Sequence, residues 1–531
     1  MSLEPVLIAG AWTSATDPLG EFTAFDPKTR APLPARYPIS SAADVERVFA
    51  AAGVAVAALR SVSHEARAAF LERYAANLEA RAAELVEVAA RETALPAEPR
   101  LRSVELPRTV GQMRQAAAAI RERSWCRATI DSKANLRSLH APLGGPVLIF
   151  GPNNFPFAFN AASGGDFVAA IAAGNPVIAK GHPSHPGTTK LLAECGLEAA
   201  RAARIPLGIL QLLYGVPNEL GLQMVADRRL GATAFTGSRA AGLRLKAAAD
   251  LAGKPIYLEL SANNPVFFLP AALVERGPAL VGELFDSCAL GAGQFCTRPG
   301  LSVIVDGPAA EEFVSGLRAR FQQAAPGTLL AAGLVSALSA DVAALVQAGA
   351  RVLSGGHAAD REKYAFEPTL LEVSGQAFLE APAELGRECF GTLHVVVRAR
   401  DAAELLRVAS ALPGNLTGSI YTSESGGDDP LYAELAPVVR ERVGRLLNDK
   451  MPTGVAVSSG MNHGGPYPST GHPGFTAVGI PASLLRFTAL HSYDAVRPAR
   501  LPAELHDRNP TGKMWRLIDG GWSQGDVAVA G

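Results

Sequence analysis

The sequence predicts an α/β protein built on doubly wound parallel sheets, and three observations carry that expectation. Short apolar runs recur at Val147–Phe150, Pro176–Ala179, Ile209–Leu213, Ala232–Phe235 and Ile256–Leu260, separated by helix-length stretches of Ala, Leu, Glu and Lys. Strands that alternate with helices pair in parallel, with the crossovers covering both faces of the sheet. Aromatic residues make up only 6% of the chain while alanine is abundant, which suits helices packed closely on a sheet rather than an aromatic-lined binding module. The 531 residues exceed one simple core and fit two or three domains that need no disulfide or metal staples.

Along the chain, an amphipathic helix is expected after Ser41, with Asp44 as a partial capping box and Val45, Val48, Phe49, Ala52 and Val56 on one face. A second starts near Glu65 and presents Leu71, Tyr74, Leu78 and Leu85. The five apolar runs then form the first sheet. A second α/β unit extends from Pro265 to about Arg445, opening with Pro265–Leu269 and continuing at Leu301–Val305 after the loop that carries Cys296. Gly-, Pro- and Ser-rich chain fills Pro452 to Gly474, a short segment covers Leu484–Leu490, and a polar tail follows Asp494. No internal repeat is visible.

Composition excludes several classes of function. Lys and Arg number 49 against 50 Asp and Glu, so no global field draws in nucleic acid or an anionic membrane. Cys126, Cys195, Cys288, Cys296 and Cys389 are odd in number and never spaced Cys-x-x-Cys. That pattern predicts neither a disulfide framework nor a metal site, and it suits a reducing cytoplasm. No secretory signal is readable at Met1–Pro5, and the longest apolar zone, Pro146 to Ala179, is interrupted by Pro152, Asn153, Asn154, Pro156, Asp166 and Pro176. A small polar substrate fits this balance.

Four stretches could carry chemistry. Phe235-Thr236-Gly237-Ser238-Arg239-Ala240-Ala241-Gly242 follows a strand and opens a helix, where backbone N–H groups and the helix dipole receive a phosphate; a tight turn with structural glycines fits the same residues. Cys296 sits in the small-residue loop Gly291-Ala292-Gly293-Gln294-Phe295, which leaves room beside a reacting carbon, yet a free cysteine also serves as a buried hydrophobe. Glu259 ends an apolar run, where desolvation raises a carboxyl toward the range of a general base; backbone amides could equally satisfy it. Asn154, in Gly151-Pro152-Asn153-Asn154-Phe155-Pro156, stands at the carboxyl end of a strand, either as an oxyanion donor or as a turn former.

Taken together these stretches resemble the aldehyde dehydrogenase superfamily. Asn154-Phe155-Pro156, Lys180 at a strand end, Phe235-Thr236-Gly237-Ser238, Glu259-Leu260, Gly293-Gln294-Phe295-Cys296 and Glu388-Cys389-Phe390-Gly391 recur in that order over nearly the whole chain. The resemblance implies an aldehyde dehydrogenase-like fold: a Rossmann-type cofactor domain (1–121 and 143–258), an α/β catalytic domain (259–481), a small β-rich oligomerisation element (122–142 and 482–500) and a C-terminal tail (501–531). It implies that Cys296 is the nucleophile, that Asn154 holds the thiohemiacetal oxyanion, and that Glu259 activates the water that hydrolyses the thioester. Lys180 and Glu388 would hold the two riboses, Gly237, Ser238, Arg239 and Gly242 the pyrophosphate, and Phe390 the nicotinamide ribose. A homodimer or homotetramer is implied too, with no metal, nucleic acid or membrane partner.

Ser261-Ala262-Asn263 and Thr392 depart from the family pattern away from the core chemistry. Pro183 offers no carboxylate three residues after Lys180, so NADP is expected as the preferred cofactor, with NAD possible. Gly181–Gly187 and Asn264-Pro265-Val266-Phe267 resemble a branch containing α-ketoglutaric semialdehyde (2,5-dioxopentanoate) dehydrogenases and NADP-dependent fatty aldehyde dehydrogenases. Arg298 could grip the carboxylate of a semialdehyde, or be pinned in an ion pair. Phe155, Phe157, Phe159 and Phe295 could form an apolar funnel or plain core. The expectation is oxidation of 2,5-dioxopentanoate; a medium- or long-chain fatty aldehyde is the alternative, and a coenzyme A-acylating or non-catalytic relative stands further off.

Overall fold

The computed structural model describes residues 2–359 and 362–528; Met1 and the last three residues of the expected tail lie outside them. Among the described residues, three large sheets and one two-stranded sheet, Gly20–Phe22 with Tyr37–Ile39, organise the chain. The first runs Ile256–Glu259, Ala232–Thr236, Val147–Phe150, Val177–Lys180, Leu210–Leu213, Val6–Ile8 and Ala11–Thr13 in spatial order. Its first five strands are parallel and the N-terminal hairpin adds antiparallel at one edge. Chain order leaves Val147–Phe150 in opposite directions toward its two neighbours, so a crevice opens between its carboxyl end and that of Ala232–Thr236, the usual place for a ligand in such sheets.

The second sheet runs Arg351–Ser354, Thr369–Ser374, Leu393–Ala399, Leu301–Val305, Val266–Phe268, Asn415–Tyr421 and Val443–Asn448, all parallel except the first. Helices bury both faces: the strand Val266–Phe268 sends Phe267 into one core cluster and Phe268 into another, both fully enclosed. The doubly wound α/β expectation therefore matches the structure.

The helix expected after Ser41 spans Ala42–Leu59 and buries Val45, Val48, Phe49 and Ala52. Ser41 Oγ donates to Thr16 O instead of capping the helix, so the capping box is absent. Asp44 accepts from Thr16 N and Arg47, holding the N-terminal segment. The second helix, His64–Ala80, ends at Arg81, and Leu85 belongs to a separate helix, Ala82–Thr93.

The third sheet corrects one expectation. Thr488–Asp494, Leu136–Pro142 and Thr129–Asp131 are joined by Arg516–Ile518 and Gly521–Ser523 from the segment read as a tail. That segment holds itself to the sheet with buried polar groups. Arg516 is fully enclosed and donates to His506 O, Asp507 O and Gly525 O, while Asn509 Nδ2 donates to Met514 O and Gln524 O. Its polar composition reflects this internal bonding, which a hydrophobicity pattern does not reveal.

Candidate active site

Two loops meet where the first two sheets face each other. The loop after Val147–Phe150 carries Asn154, and the buried carboxylate of Glu105 fixes it by accepting from Phe157 N at 2.8 Å and Ala158 N at 2.9 Å. The Cys296 loop turns through left-handed residues Gly291, Ala292 and Gly293. A Cβ at Gly293 would lie 2.2 Å from the carbonyl of Gly391, so only glycine lets the Glu388-Cys389-Phe390-Gly391 segment approach the nucleophile loop. Asn154 Nδ2 donates to Gln294 O at 3.0 Å, and Asn264 Nδ2 donates to Cys296 O at 2.8 Å. Both loops are thus held by side-chain amides.

Cys296 is partly exposed, whereas Cys126, Cys195, Cys288 and Cys389 are buried. Its Sγ lies 3.5 Å from His463 Nε2, and the same nitrogen lies 2.9 Å from Glu259 Oε1. Glu259 Oε2 has no hydrogen-bond partner among the described residues. Burial and the Glu259 carboxylate push the Cys296 thiol well above its ordinary range, with Arg108 opposing them. The thiolate is therefore disfavoured in this setting, and His463 Nε2 stands between the Cys296 sulfur and the Glu259 carboxylate, within reach of both. Cys, His and Glu within 4.8 Å of one another also form a donor set of metal-binding type, a combination the sequence reading did not anticipate.

His463 went unnoticed in the sequence because it stands in the Gly-rich stretch Met461-Asn462-His463-Gly464-Gly465, read there only as loop. The structure clamps that loop to the strand bearing Glu259: Leu260 N donates to Ser469 O and Gly471 N to Leu258 O. Thr476 Oγ1 accepts from His463 N at 2.9 Å. The one available signal was a histidine flanked by glycines small enough to pack against other backbone.

Phe155, Phe159 and Phe295 form a T-shaped cluster beside the nucleophile, with centroid separations of 5.1 Å and 5.4 Å, and Phe159 also meets the His463 ring at 5.7 Å. Phe157 instead joins the main core. Arg298 requires correction as a substrate contact. It is 3% exposed and its guanidinium donates to Pro299 O, Leu393 O and Cys389 O. Its partners are backbone carbonyls, so the buried side chain is spent mainly on holding the chain and not on a substrate carboxylate, and among the described residues no ion pair pins it.

At the crevice between Phe150 and Phe235, a cavity of about 160 Å³ is lined by Lys180, Val216, Pro217, Asn218, Leu222, Ala241 and Arg244 among others. Burial pulls the Lys180 ammonium down to about 8. Ser238 caps the helix Arg239–Leu251 by accepting from Ala241 N. Gly242 serves packing, since a Cβ there would lie 2.3 Å from Leu260; Gly237 turns the chain beside the Phe235 ring. Arg239 turns away toward Ser261 O. Glu388 is pushed up to about 7 by burial, against the Ser261 hydroxyl and the Arg298 charge, and Phe390 is half-buried next to it. Among the described residues no acidic side chain lines the cavity itself. Arg244 at its rim is paired with Glu219 at 3.5 Å, and a cleft with Lys180 at a helix N-terminus fits a dinucleotide phosphate.

Among the described residues no helix is long and apolar enough to cross a membrane. Comparison with known proteins agrees with this geometry. The model of the aldehyde dehydrogenase family matches residues 12–427. Alpha-ketoglutaric semialdehyde dehydrogenase 2 of Azospirillum brasilense is 38% identical over 98% of this chain and 99% of its own. Alpha-ketoglutaric semialdehyde dehydrogenase of Acinetobacter baylyi is 34% identical over 90% and 92%. Among solved structures, PnpE in complex with nicotinamide adenine dinucleotide superposes with a TM-score of 0.79 at 22% identity, covering 93% of this chain and 99% of that one.

Proposed function

The chain belongs to the aldehyde dehydrogenase family, and from that premise we propose that it oxidises 2,5-dioxopentanoate to 2-oxoglutarate, with NADP preferred over NAD. The observation that carries the reaction type is the close set Cys296, His463 and Glu259, in which His463 Nε2 lies 3.5 Å from the Cys296 sulfur and 2.9 Å from Glu259 Oε1. The substrate assignment is supported by the two semialdehyde dehydrogenases that align over 90% or more of the chain.

The chain's own groups divide the work. His463 Nε2 takes the Cys296 proton, and the thiolate attacks the aldehyde carbon. One N–H of Asn154 Nδ2 is committed to Gln294 O; the second donates to the oxyanion that forms, with the Cys296 backbone N–H. The bound nicotinamide supplies the hydride acceptor. Glu259 Oε2 then draws a proton from the water that attacks the Cys296 thioester, and the sulfur leaves as thiolate. Lys180 and Glu388 hold the riboses, with Phe390 against the nicotinamide ribose. Gly237, Ser238, Gly242 and the helix N-terminus form the phosphate turn; Arg239 serves by holding Ser261 beside Glu388. NADP preference is supported by Lys180 in the crevice lining, with Pro183 where a repelling carboxylate would stand.

The presence of Glu259 argues against transfer to coenzyme A. A second reading, oxidation of a medium-chain alkyl aldehyde, is favoured by one observation: Phe155, Phe159 and Phe475 form an apolar cluster with Phe295, Val455 and Met461 packed against it. Rates with 2,5-dioxopentanoate and with octanal, each with NADP and NAD, separate the two. The first reading expects the highest kcat/KM for 2,5-dioxopentanoate with NADP; a higher value for octanal contradicts it.

The third sheet supports assembly into a homodimer or homotetramer. It ends in the edge strand Thr488–Asp494 and exposes Leu490 at 63%, Trp522 at 61% and Leu136 at 42%, a combination proteins cover by pairing. Light scattering should give a mass two or four times the 55.2 kDa of the chain, and Leu490→Arg should shift it toward monomer. A monomeric wild type contradicts the assignment.

A further inference from the structure

We propose that Arg108 is the seat of the substrate's distal carboxylate; this rests on the reading of the substrate as an acidic semialdehyde. Arg108 sits in the helix Leu106–Glu122, outside every stretch that carries the chemistry above. Its guanidinium lies 5.4 Å from the Phe159 ring centroid, and the same ring meets His463 at 5.7 Å. One aromatic ring therefore separates Arg108 from the group that touches Cys296. Cys296 and Glu259 both act electrostatically on Arg108, which places its charge within short range of the reacting centre.

The guanidinium's hydrogen bonding is one-sided. Nη1 donates to Val455 O. Nε and Nη2, the edge whose two parallel N–H groups match a carboxylate, are buried and have no partner among the described residues. Arg108 forms no ion pair among the described residues, although Glu105 lies nearby. Glu105 is committed to Arg100 and to Phe157 N and Ala158 N.

The neighbouring arginines do not compete for this role. Arg100 lies over the Phe155 ring at 4.3 Å and spends Nη1 on Glu105 and Nη2 on Asn154 O, so only its Nε is unpaired and no open two-pronged edge remains. Arg445 spends both Nη atoms, on Pro452 O and Gly454 O, and leaves only its Nε unpaired. Arg298 is consumed by carbonyls, as described. A desolvated guanidinium with an open bidentate edge beside a nucleophile is costly unless an anion completes it. An alkyl aldehyde leaves that edge unpaired, and a carboxylate one short carbon chain from the aldehyde satisfies it. The Phe155–Phe159–Phe295 cluster then packs the methylene segment between the two ends.

The test compares kcat/KM for 2,5-dioxopentanoate with that for pentanal, an uncharged aldehyde of equal carbon number, in wild type, Arg108→Met and Arg108→Lys. Methionine keeps the packing against Phe159, and lysine keeps the charge without the fork. The expected result is a fall in the 2,5-dioxopentanoate to pentanal ratio of about 10- to 100-fold in Arg108→Met, carried by KM, with an intermediate ratio in Arg108→Lys. If both substrates lose equally, Arg108 is structural and the proposal is overturned; an unchanged ratio in both variants overturns it too. Should Arg108→Met fail to fold, the Arg108→Lys ratio decides by the same criterion. If wild type itself prefers pentanal, the functional reading fails first, whatever the variants do.

Discussion

Cys296→Ala is expected to lower steady-state cofactor reduction by at least about 10⁴-fold, since a group that bonds covalently to substrate has no substitute in the site. The fold should survive. Cys296 is held through its backbone, with Asn264 Nδ2 donating to its carbonyl, and its partly exposed side chain packs no core. The melting temperature and the affinity for NADP should therefore stay near wild type while activity vanishes. Retained turnover, or a collapse of stability in step with activity, would contradict the assigned role. Cys288 makes the informative control. It is fully buried where Cys296 is partly exposed, so alkylation of the native protein should modify Cys296 and spare it.

Glu259→Gln should separate the two halves of the reaction. With glutamine at this position the base for water is gone, and the thioester accumulates. Rapid mixing is expected to show a burst of reduced cofactor close to one per site, followed by a steady rate lower by about 10²- to 10⁴-fold. A variant with neither burst nor turnover would assign Glu259 to the first proton transfer alone. Full turnover would remove it from the mechanism.

The alternation of apolar runs and helical segments was enough to read both parallel sheets, because strands buried on both faces are continuous apolar runs. The C-terminal segment was not legible that way. It is fixed by Arg516 and Asn509 bonding to backbone carbonyls, and such residues look solvated in a one-dimensional pattern. The site divides similarly. Asn154, Glu259 and Cys296 each stand at a strand end or in a small-residue loop, where sequence raises the question of chemistry, and the fold brings them together. His463 and Arg108 sit on a Gly-rich loop and an ordinary helix, and only tertiary packing brings them near Cys296. Arg298 misled for the opposite reason. Nearness in sequence to Cys296 says nothing of direction, and its side chain points into a ring of carbonyls.

The claim on which all of this rests is that Cys296 carries the acyl group. A single turnover of the Glu259→Gln variant with NADP and 2,5-dioxopentanoate, quenched in acid and digested for mass spectrometry, tests it directly. The account predicts a 2-oxoglutaryl thioester on the peptide containing Cys296 and on no other cysteine peptide. An unmodified Cys296 peptide after a full burst of reduced cofactor would contradict it.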